Sequence, residues 1–456
     1  MNITSADFQS LLHIDWLANV RSLVVPERIG GQQELEFYGQ LIRNQKWLIS
    51  LEIRTEFMML IENHNQAIRD QADRRDPPYY LHSLDDVTGP RFPGESVVER
   101  LSRPFATAAG SDAPVRVENL SIFVRLPCVD ALRKMIDLKH IKHLTVVRCF
   151  NVGQLLDLMT SLYTGSASFT DSPYHSGDPS NFAMRSFRYY ATDRASCTSP
   201  SMEAFLASFG GLELLLLEVE HWYELDLNVL ERHLDTLVHL YIGLGFDCKN
   251  GTGKWRAEPA ALAAMLRRIP RLQQLALTFP RIDTFDNNPA RRNALRGFLD
   301  AVAEISNLQI LRMISWPLSK LEWWHDECQD EVDKFANTTV GLLAKMYGKK
   351  GKCSPLRLFI VGNANPYDRP MNHQVMVMSE FDKSPVCYKI VYNQSDTNGP
   401  GLPRAVLVSS YEEVLSVPVY DALLDNIVDV PPMDKGLGVG GFFPARWKDD
   451  NGYLGH

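Results

Sequence analysis

A short pattern of apolar residues, L-x-x-L-x-L in its simplest form, recurs along this chain and constrains its fold more than any other feature. With any apolar residue allowed at the three anchor positions, ten occurrences of the pattern are candidate strands. The ten anchor triplets are Val20-Leu23-Val25, Leu48-Leu51-Ile53, Val117-Leu120-Ile122, Ile141-Leu144-Val146, Met184-Phe187-Tyr189, Leu212-Leu215-Leu217, Leu237-Leu240-Ile242, Leu272-Leu275-Leu277, Leu308-Leu311-Met313 and Leu356-Phe359-Val361. Successive first anchors lie 28, 69, 24, 43, 28, 25, 35, 36 and 48 residues apart. Several of these intervals match the roughly 20–29 residues that one strand and its return segment occupy in a stacked array.

Segments with helical periodicity separate most of these triplets. Each segment places apolar residues three or four positions apart, as one face of a helix requires. The segments are 129–138, 152–163, 201–209, 226–237, 258–269, 290–305 and 328–347. The sequence therefore predicts a repeated alternation of short strand, turn and helix.

A unit of this kind cannot bury its own apolar face, so the units are expected to stack. Stacking in register predicts an α/β fold, a leucine-rich-repeat solenoid with a curved parallel β-sheet on the concave side and helices on the convex side. The anchors would point into the core and the residues between them the other way, because side chains alternate along a strand. Cys149, three residues beyond the anchor Val146, occupies the consensus position for a buried side chain that bonds the turn.

Ten loose apolar triplets could also arise by chance in a leucine-rich helical protein or in a doubly wound α/β protein. The spacing favours the repeat, because several triplets follow a helical segment after only a few residues. RRIPRLQQLALTF and AEISNLQILRMIS are two such passages.

The passages FGGLELLLLEVEHW, RRIPRLQQLALTFP and AEISNLQILRMISWP resemble the irregular leucine-rich repeats of fungal F-box-type proteins. The resemblance covers residues 15–365. It implies a solenoid that captures a substrate for a ubiquitin ligase, whose adaptor is bound by an N-terminal F-box. LLHIDWLANV is too short for an F-box and Val20 is already a repeat anchor, so an adaptor is an expected partner only if an F-box is supplied elsewhere.

Three regions are expected along the chain. Residues 1–365 would form the irregular repeat array, with a long surface insertion near 66–116 that is rich in Pro, Gly, Ser and charge. Residues 366–430 would form a small β-rich C-terminal cap or extension, because HQVMVMSEF, CYKIVYN and RAVLVSS alternate as strands do. Residues 431–456 would be a loop-rich tail.

Charge and composition exclude several classes of function. The formal net charge of −8 argues against a nucleic-acid binder, which needs an excess of Lys and Arg to displace counterions. No apolar run approaches the roughly 20 residues that cross a bilayer, so no membrane partner is expected. The seven cysteines are scattered and MNITSADFQS lacks the features of a signal peptide. We therefore expect an intracellular protein, cytoplasmic or nuclear.

The motifs typical of catalysis are absent or weak. The run from Gly436 to Gly441 satisfies G-x-G-x-x-G but is flanked by prolines rather than by a strand and a helix, which favours a loop. His325 to Cys328 could ligate a metal, but a capped acidic first turn of a helix explains these residues better. Lys349, Lys350 and Lys352 form a basic turn that is either solvated or a contact for an acidic partner. We therefore predict no catalytic residue, no cofactor, no metal and no enzymatic activity.

The best candidates for binding are the residues of each strand that point away from the core. They are Glu52, Arg54, Phe123, His143, Arg188, Tyr190, Glu218, His239, Tyr241 and Arg312. Tyr and Arg are frequent at protein interfaces, so the predicted function is non-catalytic recognition of a protein or peptide, with substrate selection for an F-box-type ligase as its most specific form. Two alternatives remain: an enzyme whose active site lies in the C-terminal segment and whose repeats act as a targeting arm, and a purely structural scaffold.

Overall fold

The computed structural model divides the chain into two compact units, Met1–Gly210 and Gly211–His456. The residues that it describes are 20–25, 32–45, 47–53, 97–106, 114–122, 128–147, 149, 152–165, 184–191, 199–219, 225–244, 259–277, 289–313, 326–361, 386–394 and 400–408.

The N-terminal unit alternates strands and helices. Its strands are β1 (Ser22–Val25), β2 (Ser50–Ile53), β3 (Asn119–Ile122), β4 (His143–Val147) and β5 (Ser186–Ala191). Its helices are α1 (Gln32–Asn44), α2 (Val97–Ala106), α3 (Val129–Met135), α4 (Val152–Thr164) and α5 (Ser199–Ala207), with a 3-10 turn at Leu138–His140. Each strand pairs in parallel with the next one in the sequence, and each helix packs against the next helix.

The C-terminal unit continues the same alternation. Its strands are β6 (Leu214–Val219), β7 (His239–Leu244), β8 (Gln274–Leu277), β9 (Ile310–Met313), β10 (Leu358–Val361), β11 (Val386–Gln394) and β12 (Pro400–Leu407). Its helices are α6 (Pro259–Leu266), α7 (Pro289–Val302) and α8 (Asp326–Lys349), and a 3-10 helix spans Leu227–His233. Strands β6 to β10 are parallel, whereas β11 and β12 pair antiparallel.

The second and third anchors of all ten predicted triplets fall on β1 to β10, so the prediction of an α/β fold with parallel strands is confirmed. The middle anchors lie side by side in each unit: Leu23, Leu51, Leu120, Leu144 and Phe187 in the first, and Leu215, Leu240, Leu275, Leu311 and Phe359 in the second. A slip of one residue in any strand would turn its anchors to the opposite face. The buried anchors therefore set the register.

We call the side of the strands that carries these anchors the anchor face. Helices pack on it in both units: the ring of Phe187 on β5 meets Phe205 of α5 at 5.1 Å, and Phe359 on β10 meets Phe335 of α8 at 6.4 Å. Cys149 is buried as predicted, and its Sγ lies 3.4 Å from the carbonyl oxygens of Ile122 and Val147, to which the thiol donates. Cys149 thus links the ends of β3 and β4.

Two elements differ from the sequence expectation. Helix α2 lies inside the predicted insertion at 66–116, yet its Val98 and Leu101 are fully buried. The segment 226–237 forms a 3-10 helix at Leu227–His233 rather than an α-helix. Apolar spacing of three or four residues does not distinguish the two helix types when the helix is only about two turns long.

An antiparallel pair of strands, β11 and β12, follows β10, and it contains the predicted strand CYKIVYN and the first four residues of the predicted strand RAVLVSS, whose last two residues lie outside the described ranges. The hydroxyl of Tyr388 donates to Asp333 Oδ1 on α8 at 2.7 Å, and the backbone amide of Ala405 donates to Asn337 Oδ1 at 3.0 Å. This pair of strands is therefore fixed to both the sheet edge and the last helix. HQVMVMSEF lies outside the described residues.

Gly39 allows α1 and α2 to approach closely. A Cβ at this position would lie 2.6 Å from the backbone oxygen of Leu101, which is far inside van der Waals contact. Gly341 in α8 is the opposite case, because a Cβ there would have nothing within 4 Å. Packing therefore requires a glycine at position 39 but not at position 341.

We expect Gly39→Ala to destabilise the protein although alanine favours a helix, because the added methyl group must push the two helices apart. Gly341→Ala is the matched control, and it should raise the free energy of unfolding by about 0.5–1 kcal/mol through helix propensity alone. Urea unfolding followed by circular dichroism measures both. A stabilised Gly39→Ala variant would contradict the close packing of α1 on α2.

Candidate recognition surface

The side of each strand opposite the anchor face carries the residues that the sequence nominated for binding. In the N-terminal unit it consists of two rows in register, and we call them together the N-terminal polar face. The rows are Ser22-Ser50-Asn119-His143-Ser186 and Val24-Glu52-Ser121-Thr145-Arg188. In the C-terminal unit the equivalent rows form what we call the C-terminal apolar face. These rows are Leu214-His239-Gln274-Ile310-Leu358 and Leu216-Tyr241-Ala276-Arg312-Ile360.

The two faces differ in burial. On the N-terminal polar face every residue except Ser186 is partly or fully exposed, and the side chains of His143 and Val24 are well exposed. On the C-terminal apolar face every residue except His239 is buried. Only the N-terminal polar face is therefore open to a partner in this conformation.

The sequences of the strands explain why the two faces differ in burial. Strands β2 and β3 read SLEI and NLSI, where apolar anchors alternate with polar residues, as expected when one face is in water. Strands β6 and β10 read LLLLEV and LFIV, which is typical of strands buried on both faces. The L-x-x-L-x-L pattern alone does not separate these cases, because it ignores the residues between the anchors.

The structure places the ten nominated residues in three groups. Glu52, His143 and Arg188 lie on the N-terminal polar face and are at least partly exposed. Tyr190, Glu218, Tyr241 and Arg312 are buried, and His239 is partly buried. Arg54 and Phe123 lie outside the described residues.

Three of the buried nominated residues, Glu218, Tyr241 and Arg312, form a polar cluster in the C-terminal unit. The hydroxyl of Tyr241 donates to Glu218 Oε2 at 2.7 Å, and the guanidinium carbon of Arg312 lies 5.5 Å from the centre of the Tyr241 ring. Tyr241 and Arg312 stand on either side of Ala276, whose small side chain leaves room for the cation to reach the ring. Their contacts with each other give these residues a structural role.

Two more side chains extend this buried region. Burial raises the pKa of the Cys387 thiol to about 12, although the charge of Arg312 opposes this shift, so the thiol is protonated at neutral pH. Gln274 is fully buried, and neither its amide oxygen nor its amide nitrogen has a hydrogen-bond partner in the part of the chain that the structure describes. An unsatisfied buried amide costs about 1–3 kcal/mol, which the apolar packing around it must offset.

Charged residues surround the start of β3, β4 and β5. Glu118, Lys142 and Arg185 each precede one of these strands, and backbone amides link them: Lys142 N donates to Glu118 O at 2.8 Å and Arg185 N donates to Lys142 O at 2.7 Å. Lys142 Nζ also donates to Glu118 Oε1. This hydrogen bond, with the nearby charges of Lys142, His143 and Arg185, lowers the pKa of Glu118 below its usual range. Charged groups of both signs therefore lie at the start of these strands.

Lys350 and Lys352 of the predicted basic turn form contacts within the protein. Lys350 Nζ lies 2.7 Å from Glu304 Oε1 and 3.2 Å from Asp300 Oδ1, and Lys352 Nζ donates to the backbone oxygen of Glu304 at 3.1 Å. Arg267 Nε adds a contact of 3.2 Å to Glu304. These bonds tie the ends of α6, α7 and α8 together, and they lower the pKa of Glu304, with the hydrogen bond from Lys350 as the main cause.

Other motifs give no site in the described residues. Residues 326–328 form the start of α8, while His325 and the glycine run at 436–441 lie outside the described residues. Within the described ranges, no three or more His, Cys, Asp or Glu side chains are arranged to hold a metal, and no helix is suited in length and polarity to span a bilayer. His233 is fully buried, and its Nδ1 accepts a hydrogen bond from the backbone of Leu212 at 3.3 Å.

No protein-family model matches the chain, and no curated protein is significantly similar to it. Its function must therefore be inferred from the chemistry and geometry of its own residues.

Glu304→Gln should lower the free energy of unfolding at neutral pH but not in acid, where Glu304 itself is protonated. The pKa of Glu304 is lower in the folded protein than in the unfolded chain, so its contribution is complete at neutral pH. It is lost as the pH falls below about 4.3, where the unfolded chain takes up the proton first. At pH 7 and low salt we expect a loss of roughly 1 kcal/mol, since partial exposure screens the ion pairs.

Free energies of unfolding measured between pH 7 and pH 3 test this prediction. The difference between the original protein and Glu304→Gln should shrink as the pH falls. Glu231→Gln is the control, because Glu231 pairs with Arg268 at a well-exposed position. A difference that stays constant down to pH 3 would show that the Glu304 carboxylate is not stabilised by these cations.

Proposed function

We propose that this protein is a non-catalytic leucine-rich-repeat module that binds a protein or peptide across its N-terminal polar face. The observation that carries the proposal is the unbroken register of β1 to β5, which aligns two rows of side chains on the accessible face of one sheet. Neighbouring strands lie about 4.8 Å apart, so each row repeats at a fixed interval.

Rigidity supports a binding role for this face. Leu51, Leu120 and Leu144 are fully or almost fully buried beneath it, so the strands are held from the anchor face and their outward residues are presented in a fixed arrangement. A preformed surface loses little conformational freedom when a ligand binds, which favours affinity. Hydroxyl, amide and charged groups alternate along the rows, as is common at interfaces that recognise polar segments.

The leucine-rich-repeat part of the proposal is supported by three features. The anchor positions coincide in all ten parallel strands, consecutive helices pack in chain order within each unit, and Cys149 bonds the turn at the consensus position. In such a solenoid the sheet lies on the concave side because helices are wider than strands. The resemblance to F-box-type proteins extends the proposal: the bound partner would be a ubiquitination substrate, with the adaptor contact supplied elsewhere.

The variant Glu52→Ala/His143→Ala/Arg188→Ala tests the proposed surface. It truncates three side chains of the N-terminal polar face and spares every anchor. The matched control, Asp130→Ala/Lys134→Ala/Gln154→Ala, truncates exposed side chains on helices α3 and α4. Each protein is used for affinity purification followed by mass spectrometry. The partner captured by the original protein is then titrated with all three proteins, which compares the N-terminal polar face with the helices as the binding surface.

We expect the control to bind that partner as the original protein does, and the face variant to bind it at least about tenfold more weakly, because a few central residues dominate most interfaces. Circular dichroism spectra and melting temperatures should agree for all three proteins. If the face variant retains full affinity while the helix-side control loses it, the partner binds the helices and the proposal is wrong.

A further inference from the structure

The two antiparallel strands β11 and β12 have one side that packs on the protein and one side that does not. On the packed side Tyr388 and Ile390 are buried, and the hydroxyl of Tyr388 donates to Asp333 Oδ1 on α8 at 2.7 Å. Lys389 and Val391 alternate with these residues along β11, so their side chains point to the opposite side. That opposite side faces away from α8.

The side that faces away from α8 carries apolar and basic residues in a regular arrangement. Lys389 pairs with Val406 and Val391 pairs with Arg404, and residues directly opposed in an antiparallel pair point to the same side. The Cβ atoms of opposed residues lie about 5 Å apart, so the two valines and the two cations alternate within a small area. We call these four residues the β11–β12 patch.

All four residues of the β11–β12 patch are accessible to solvent. Val391 is 37% exposed and Val406 is 45% exposed, although large apolar residues in the described part of the chain are mostly buried. Arg404 is exposed and Lys389 is partly exposed. Neither cationic side chain has an ion pair or a hydrogen bond to another described residue. The patch therefore combines exposed apolar surface with two positive charges that are available to a partner.

The outer edge of β12 is poorly suited to the addition of another strand. Val408 N donates to Cys387 O at 2.9 Å, so the alternate positions of β12, those of Ala405 and Pro403, face away from β11. Pro403 has no N–H group, and the N–H of Ala405 donates to Asn337 Oδ1 on α8 at 3.0 Å. Proline and occupied donors protect sheet edges from strand pairing. A partner would therefore bind the side of these strands and not their edge.

We propose that the β11–β12 patch binds an acidic amphipathic helix of a partner protein. A sheet side with apolar residues is commonly covered by a helix, whose apolar stripe would pack on Val391 and Val406. Asp or Glu residues beside that stripe would reach Lys389 and Arg404, and a guanidinium can hold a carboxylate through two parallel hydrogen bonds. This surface belongs to the C-terminal unit, and the proposal does not depend on the N-terminal polar face.

The dimensions of the patch suit a helix. Residues two apart on one strand lie about 7 Å apart, and neighbours three or four apart on a helix have Cβ atoms about 5–6 Å apart. About two turns of helix can therefore place leucines and carboxylates over both cross-strand pairs. An anionic membrane fits less well, because membrane-binding surfaces insert Trp, Phe or Leu rather than short valine side chains. The formal charge of −8 also opposes approach to such a membrane.

Fluorescence anisotropy at low salt tests this proposal on the full chain. The probe is a labelled fourteen-residue helical peptide with Leu at every third or fourth position, Glu on both sides of the leucine stripe and Ala elsewhere. A second peptide carries Gln in place of every Glu, and a third carries Ala in place of every Leu. The protein variants are Val391→Thr/Val406→Thr, Lys389→Gln/Arg404→Gln, and a control in the same unit, Arg296→Gln/Lys345→Gln, which removes two exposed charges from α7 and α8.

We expect the probe to bind at least about tenfold more tightly than either altered peptide, because both the carboxylates and the leucines contact the patch. The threonine variant should bind the probe at least about fivefold more weakly, and the glutamine variant at least about tenfold more weakly. The control should stay within about twofold of the original protein. Threonine is β-branched like valine, so the strands should be retained, and circular dichroism checks this. Each patch variant tests the proposal without the other.

Several results would overturn the proposal. The first is a probe that shows no saturable binding up to about 1 mM, which is the weak limit of a specific contact. The second is equal binding of the Gln or Ala peptide, and the third is an equal loss in the control variant. A dimer in sedimentation velocity that the threonine variant dissociates would assign the patch to a second copy of the chain. Binding to phosphatidylserine-containing vesicles that both patch variants abolish would assign it to a membrane.

Discussion

Each of the two units of this protein is stabilised internally by the burial of one apolar anchor beside the next. Leu51, Leu120 and Leu144 in the N-terminal unit are buried in register, and Leu240, Leu275 and Leu311 repeat this arrangement in the C-terminal unit. Full burial of a leucine side chain contributes about 1.5–3 kcal/mol, and in the N-terminal unit a shift of one residue would turn every anchor of a strand to the exposed face at once. The register is thus strongly specified, and it determines which residues appear on the other face of each sheet.

The other face of the strands differs between the two units in composition and in exposure. In the N-terminal unit most of the residues that face away from the anchors are polar or charged and remain in contact with water, so their side chains are accessible without a rearrangement of the sheet. In the C-terminal unit the same positions are filled by Leu216, Ile310 and Ile360, and the polar exceptions Tyr241 and Arg312 are engaged with each other. A single repeat pattern therefore produces an accessible, mostly polar surface in one unit and a second buried layer in the other.

Much of this fold could be predicted from the sequence, because it depends on local spacing. The anchors place all ten parallel strands, and Cys149 was correctly expected to be buried at a turn. Helix α2 was missed because proline, glycine and charge dominate the segment around it, while its core contacts are made by only a few residues such as Val98 and Leu101. The burial of Glu218 and Arg312 could not follow from alternation, since it depends on how the second face of the sheet is covered. The unbroken apolar sequences of β6 and β10 were the feature from which burial on both faces of these strands could have been predicted.

The contrast between the two faces is the central claim, and site-directed thiol labelling tests it directly. Ser121 and Ala276 hold equivalent positions in their rows, one on each face. Ser121→Cys and Ala276→Cys proteins can be treated with a maleimide, and the rate of modification at each introduced thiol can be measured by peptide mass spectrometry. We expect the thiol at position 121 to react at least about a hundredfold faster than the thiol at position 276, because reaction requires solvent access to the thiolate. Equal rates at the two positions would contradict the account.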